Sequence, residues 1–132
     1  MKIEVIGRGN VGSQFASIFG VAPIDSRTLE GLSDDADLYI IAVSDSAVEE
    51  VSGRMPATEG TVVHTTGSVP LDVLRKSGFR HYGVIYPFQT ISKTRHLKAS
   101  DIPLLVEASD KATEERIVST ARKYGFEKIE QA

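Results

Sequence analysis

The tightest constraint in this sequence is the run Gly7-Arg8-Gly9-Asn10-Val11-Gly12. It follows the β-rich residues 2–6 and opens a stretch in which Val11, Phe15, Ile18 and Phe19 recur at helical spacing. A strand, a glycine turn and a helix in that order begin a βαβ unit, and G-x-G-x-x-G in that context is the pattern of a turn that cradles a pyrophosphate. Gly7 permits the tight turn, Gly9 lets the backbone approach the phosphates, and Gly12 lets the helix pack close to the strand. The helix amino terminus offers N–H groups that have no partner within the helix, and Arg8 and Asn10 add side-chain donors. The competing reading is a glycine-rich βα turn that holds no nucleotide.

The alternation continues along the chain. Residues 21–24 read as a second strand, closing on Asp25-Ser26-Arg27-Thr28, and residues 38–43 form a continuously apolar run suited to a central parallel strand. A helix is expected over residues 44–55, with Asp45 and Ser46 in its first turn. A β-branched strand follows at residues 61–64, and then a helix over residues 71–77 behind Pro70. Further strands are expected at residues 79–86, 102–107 and 126–129. An amphipathic helix at residues 110–124 turns Ile117, Val118, Ala121 and Tyr124 inward. This order predicts an α/β, doubly wound, mainly parallel Rossmann-like sheet with ligands at the carboxyl ends of its strands. With 132 residues, it is expected to be one domain. Residues 89–100 form the longest stretch without periodicity and read as a functional loop.

Composition narrows the function classes. A chain with 41% hydrophobic and 25% charged residues is neither disordered nor fibrous. The absence of cysteine removes disulfides, thiolate zinc sites and a cysteine nucleophile, and a cytoplasmic location is expected. No apolar run approaches the roughly 18 residues of a membrane helix. The net charge is −3. It divides unevenly: four basic against ten acidic residues in 1–60 give −6, and eleven against eight in the remainder give +3. That balance argues against nucleic acid as a partner. His64, His81 and His96 are too far apart for a local metal motif, so no metal is expected.

Two positions bear on the choice of cofactor. Asp25 suits the acceptor of a ribose 2′-hydroxyl, as in NAD binding, while Ser26-Arg27-Thr28 is a hydroxyl and cation cluster suited to a 2′-phosphate, which favours NADP. Catalytic groups are less legible, because hydride transfer is the cofactor's chemistry. His64 ends a strand at the ligand edge and reads either as a donor to substrate or as a hydrogen-bonded structural histidine. Thr65, Thr66 and Ser68 supply hydroxyls beside it. Gln89 and Thr90 read as ligand donors or as part of a rigid turn after Pro87. Lys93, Arg95 and His96 read as an anion clamp or as an ordinary exposed loop.

Four segments together resemble one family. They are the glycine run, Ala36-Asp37-Leu38-Tyr39-Ile40-Ile41-Ala42-Val43-Ser44-Asp45, His64-Thr65-Thr66-Gly67-Ser68-Val69-Pro70 and Tyr82-Gly83-Val84-Ile85-Tyr86-Pro87-Phe88-Gln89-Thr90. The chain is similar to the bacterial Rossmann-like proteins that carry a carboxyl-terminal helical domain of unknown function. Those are related to deazaflavin-dependent NADP oxidoreductases and pyrroline-5-carboxylate reductases. The resemblance implies an NADP-binding domain, with Ser26, Arg27 and Thr28 near the adenosine phosphate. It places Val43 and Ser44 along the cofactor and Thr66 and Gly67 near the nicotinamide; the residues themselves leave His64, Thr66 and Gln89 as weak catalytic candidates. Two departures shape the expectation. Only residues 29–36 separate Thr28 from Asp37, where such domains insert a helix and a third strand, so the sheet is expected to be shortened after the second strand with an open adenine side. The chain also ends at Ala132, and it is expected to lack the helical domain that supplies dimer contacts and substrate groups. The leading function is therefore an NADP-binding oxidoreductase-like domain with an unidentified small-molecule substrate, able to form a homodimer. The alternative is a reduced, non-catalytic module that binds a nucleotide or a protein.

Overall fold

The computed structural model describes residues 1–88 and 97–132. Gln89, Thr90, Lys93, Arg95 and His96, together with most of the expected loop, lie outside the described residues. Six strands form one sheet in sequential order: β1 (Ile3–Ile6), β2 (Leu38–Ile41), β3 (Thr61–His64), β4 (His81–Pro87), β5 (Leu104–Ala108) and β6 (Ile129–Gln131). All pairings are parallel except β4 with β5, which run antiparallel. Four helices connect them: α1 (Asn10–Phe19), α2 (Val48–Arg54), α3 (Asp72–Lys76) and α4 (Lys111–Lys123).

The period-2 alternation of side chains divides the core between the two faces of the sheet. On one face Ile3, Val5, Leu38, Ile40, Val63, Ile85, Leu104 and Val106 pack against Phe15 and Phe19 of α1, Ile117 and Ala121 of α4, and Phe126. On the other, Ile6, Tyr39, Ile41 and Val62 meet Val51 of α2, Leu74 of α3 and Phe79. Every residue of β2 is buried because helices or crossover chain cover both faces, which explains its unbroken apolar run. Four aromatic rings fill the space between α1 and α4. Phe126 lies 6.0 Å from Phe15 and 6.1 Å from Phe19, and Tyr124 meets Phe19 edge-on at 4.8 Å.

The expected second strand is reduced to a single bridge, Ile24 to Ile6, with Ile24 N–H donating to Val5 O and Gly7 N–H to Ile24 O. Pro23 has no N–H to extend the ladder, and the chain turns immediately at Asp25, whose carboxylate accepts the Arg27 N–H at 2.9 Å. The bridge still occupies the edge beside β1, so strand order reverses at β1 and a crevice opens outside its carboxyl end. The last strand begins at Ile129 rather than residue 126, since Phe126 is given over to the core.

The short crossover over residues 29–36 is held by buried polar groups. The Tyr39 hydroxyl, inside the core, donates to Ser33 O at 2.8 Å and accepts the Ala36 N–H at 3.1 Å. The Glu4 carboxylate accepts both the N–H and the hydroxyl of Ser33 at 2.9 and 2.8 Å. Leu29 and Leu32 close over the core beneath. At the other end of the chain, Asp110 caps α4 by accepting the Thr113 N–H at 2.7 Å, and that bond is the main reason its carboxyl titrates below the usual range.

Because Phe126 is 1% exposed and touches both helices of its face, Phe126→Ala is expected to cost about 3–5 kcal/mol of unfolding free energy in urea titration. A loss below about 1 kcal/mol would show that the face relaxes around the gap.

Candidate functional site

The turn after β1 is dictated by close backbone contact. Gly7 has φ +121°, and a Cβ there would lie 2.1 Å from the Ala42 carbonyl oxygen; one on Gly12 would lie 2.2 Å from the Gly7 carbonyl oxygen. Both positions therefore exclude any side chain, and α1 starts against the ends of β1 and β2. Gly9 differs, since a Cβ added there would meet nothing within 4 Å. It stands at the amino-terminal cap of α1, where first-turn N–H groups have no helical acceptor.

Around this turn lies a cleft of about 620 Å³. Its lining joins Gly7, Arg8, Gly9, Asn10 and Val11 to Ser26, to Val43, Ser44 and Asp45 after β2, to Thr65, Thr66, Gly67 and Ser68 after β3, and to Tyr86 near the end of β4. Four strand ends thus converge on one space, the place where open α/β sheets hold ligands. The residues present fit a dinucleotide: at Gly9 there is open space above the helix amino terminus where a side chain would otherwise stand. A second concavity of about 630 Å³ opens at the opposite edge among Asp34, Asp35, Asp37, Thr61 and Arg116. There Asp37 accepts the Lys2 N–H at 2.7 Å and Asp35 pairs with the Lys2 ammonium at 2.7 Å, so these carboxylates serve the fold.

The two loops at the far end of the cleft are buckled by one carboxylate. Asp45 accepts the Thr66 hydroxyl at 2.5 Å and the Ser68 hydroxyl on its other oxygen. The Ser68 bond, followed by that of Thr66, holds the Asp45 carboxyl below the usual carboxylate range. Sequence placed Asp45 in the first turn of a helix. In the structure that segment is a 3-10 turn, Asp45–Ala47, without a side-chain cap, and the carboxylate reaches across to the next loop.

His64 lies under this end without lining the cleft. Its Nδ1 accepts the Thr66 N–H at 3.2 Å, while the buried Nε2 completes no hydrogen bond among the described residues. Burial pushes the imidazole below its ordinary pKa, and the backbone of Pro70 and Val69 only partly offsets it. Tyr86, which sequence quoted only within a motif, faces Gly67 so closely that a Cβ there would lie 3.1–3.2 Å from its ring, and Phe88 meets the same ring edge-on at 5.8 Å.

At the near end, Ser26 lines the cleft, while Arg27 and Thr28 stand exposed beyond it. Asp25 is engaged internally: one oxygen takes the Arg27 N–H, and the other lies 3.5 Å from the Arg8 guanidinium. The ion pair of Asp25 is therefore with Arg8. Arg54, which the sequence does not mark, donates from α2 to the carbonyl oxygens of Ser26 and Arg27. Among the described residues no group of three His, Asp or Glu side chains is placed to hold a metal ion, and no helix is long and apolar enough to cross a membrane.

No family model and no curated protein matches the chain. Solved structures do. The chain is similar to a Bacteroides fragilis protein assigned as an NADP oxidoreductase, at 28% identity and TM-score 0.81, over 98% of this chain and 60% of that one. It is also similar to Aquifex aeolicus prephenate dehydrogenase in complex with hydroxyphenyl propionate and NAD+ (13% identity, TM-score 0.70, 100% of this chain and 60% of that one). A dimeric ketopantoate reductase from Staphylococcus aureus matches at 16% identity and TM-score 0.69, over 100% and 60% of the two chains. The chain spans about 60% of the length of these proteins. Its structural neighbours are thus NADP-oxidoreductase-like Rossmann domains, and its fold is the one they share.

Two measurements check the site. Gly12→Ala should cost about 3 kcal/mol of stability, whereas Gly9→Ala should cost at most about 1 kcal/mol while abolishing dinucleotide binding in titration. For His64 the folded pKa is depressed, so its contribution is complete above its ordinary value of 6.5 and is lost as pH falls through the folded-state pKa. The wild-type advantage over His64→Gln in unfolding free energy should accordingly shrink between about pH 7.5 and 5. A difference that does not vary with pH would show that the imidazole is not held neutral by burial.

Proposed function

We propose that this chain is the nicotinamide-dinucleotide-binding domain of an oxidoreductase, with NADP preferred over NAD. The observation that carries the reading is the Gly9 cradle: backbone with open space above it, at a helix amino terminus, in the crevice where strand order reverses. The amides around Gly9, Asn10 and Val11 take the pyrophosphate, Gly7 and Gly12 fix the turn, and Arg8 flanks it. Ser26, Arg27 and Thr28 take the 2′-phosphate, and the engagement of Asp25 with Arg8 and the Arg27 N–H favours that choice over a bare ribose. Val43 and Ser44 would lie along the cofactor, with Thr66 and Gly67 near its nicotinamide.

The cofactor, when bound, supplies hydride to a substrate that is not yet identified. The chain's own contribution is to bind and orient. The Asp45 buckle holds the Thr66 and Ser68 hydroxyls in fixed positions, and Tyr86 against Gly67 closes the far wall. Residues 1–132 act as a single domain, with further substrate contacts supplied from outside these residues. Of the weak catalytic candidates, Thr66 lines the cleft, His64 lies beneath it, and Gln89 is outside the described residues.

Isothermal titration with NADP, NADPH, NAD and NADH tests the proposal. Phosphorylated cofactors should bind about tenfold tighter or more, roughly 1.4 kcal/mol, and Arg27→Ala should remove that margin. No binding of any of the four at about millimolar concentration would overturn it, leaving the non-catalytic interaction module as the reading to pursue.

A further inference from the structure

The loop proposed to take the 2′-phosphate lacks the support such a loop would draw from a strand. It leaves the sheet after one bridge at Ile24. Within itself it is held by three short-range bonds: Leu29 N–H to Asp25 O at 2.9 Å, Arg27 N–H to the Asp25 carboxylate, and Glu30 N–H to the Thr28 hydroxyl at 3.2 Å. None of these ties the loop to the body of the domain. Arg8 reaches Asp25 across 3.5 Å and Pro23 O at 3.5 Å, both long contacts from a side chain that is itself 64% exposed.

Leu29 packs on the core at the far side of the loop, and among the described residues the side chain that reaches the backbone of residues 26 and 27 from the body of the domain is Arg54. It is the last residue of α2, a helix anchored in the core by Val48 and Val51. Each of its three guanidinium nitrogens donates. Nη1 donates to Arg27 O at 3.1 Å, Nη2 donates to Ser26 O, and Nε donates to the carboxylate of Glu50 one helical turn earlier. The planar fork suits this task because it can meet two adjacent carbonyl oxygens and a carboxylate at once, which an ammonium cannot do with the same fixed directions.

We propose that Arg54 is the positioning residue for cofactor selection: by holding the carbonyl oxygens of Ser26 and Arg27 toward α2, it presents the Ser26-Arg27-Thr28 donors to a phosphomonoester at the end of the cleft. The inference rests on the dinucleotide reading above and adds the element that makes it selective. Arg54 acts through the loop backbone, so its loss weakens binding of the phosphorylated cofactor and leaves the pyrophosphate cradle at Gly9 untouched. Glu50 aims the fork, and Glu50→Gln produces the same effect in weaker form.

The test titrates NADPH and NADH into the wild-type chain, Arg54→Gln, Arg54→Lys and Glu50→Gln, and follows amide hydrogen exchange of residues 25–30 without ligand. Arg54→Gln should lose about tenfold in NADPH affinity with NADH affinity within about twofold of wild type, and exchange at residues 26–30 should quicken while core amides are unchanged. Arg54→Lys should behave like Arg54→Gln. If lysine restores NADPH binding, the charge acts on the phosphate directly and the positioning role is overturned. A wild-type preference for NADPH that survives Arg54→Gln, with exchange unaltered, overturns the role of Arg54 alone. A wild type that binds neither nucleotide overturns the cofactor reading, and this inference with it.

Discussion

Everything at the carboxyl edge of the sheet depends on two backbone contacts too close for a side chain. Gly7 packs against the Ala42 carbonyl, and Gly12 against the carbonyl of Gly7 itself. These contacts bring the start of α1 against the ends of β1 and β2. They aim the amino terminus of α1 into the crevice where strand order reverses. The core behind them, with Phe15, Phe19 and Phe126 on one face, keeps the helix from shifting along the sheet. The turn and the core are therefore one unit, and a change of one carbon at Gly12 is felt as a displacement of the whole helix.

The second feature of the fold is economy in the crossover from Ile24 to β2. A loop makes that crossover, and it keeps its place through polar anchors drawn from elsewhere: Tyr39 from the centre of the sheet, Glu4 from β1, Arg54 from α2. The Tyr39 hydroxyl is a buried polar group that would be costly without its two partners. With them, it tells the crossover where to lie. This arrangement leaves the near end of the cleft bounded by side chains and turns, and Arg27 and Thr28 remain exposed there.

The far end of the cleft is organised by electrostatics. Asp45 stays ionised because two hydroxyls donate to it, and its charge in turn fixes the direction of both. Burial lowers the pKa of His64 beneath, and its Nδ1 accepts the Thr66 N–H. The loops after β2 and β3 are thus joined before any ligand arrives, a form of preorganisation that lowers the cost of binding.

Much of this was legible in the chain itself. The order of strands and helices, the site of the glycine turn, the burial of β2 on both faces and the loops that meet at the cleft all follow from local periodicity and from residue types with few alternatives, such as Gly12 after a strand. Local patterns cannot report partners that are distant in sequence, and the misreadings lie there. Residues 21–24 have strand composition, yet Pro23 and the turn at Asp25 leave room for only one bridge. Asp45 stands in a first turn as its residue type suggests, but its hydroxyl donors, Thr66 and Ser68, come from a loop 21 and 23 residues away and leave no local trace. Nothing in the sequence marks Arg54, and only the packing of α2 beside the bridge at Ile24 turns it toward the carbonyls of Ser26 and Arg27. Sequence by itself determined the layered α/β sheet and the edge at which its glycine turn opens a cleft, because backbone conformation and hydrophobic period are local properties. Tertiary structure decided which polar groups meet at that edge, because a hydrogen bond forms where the fold brings donor and acceptor together.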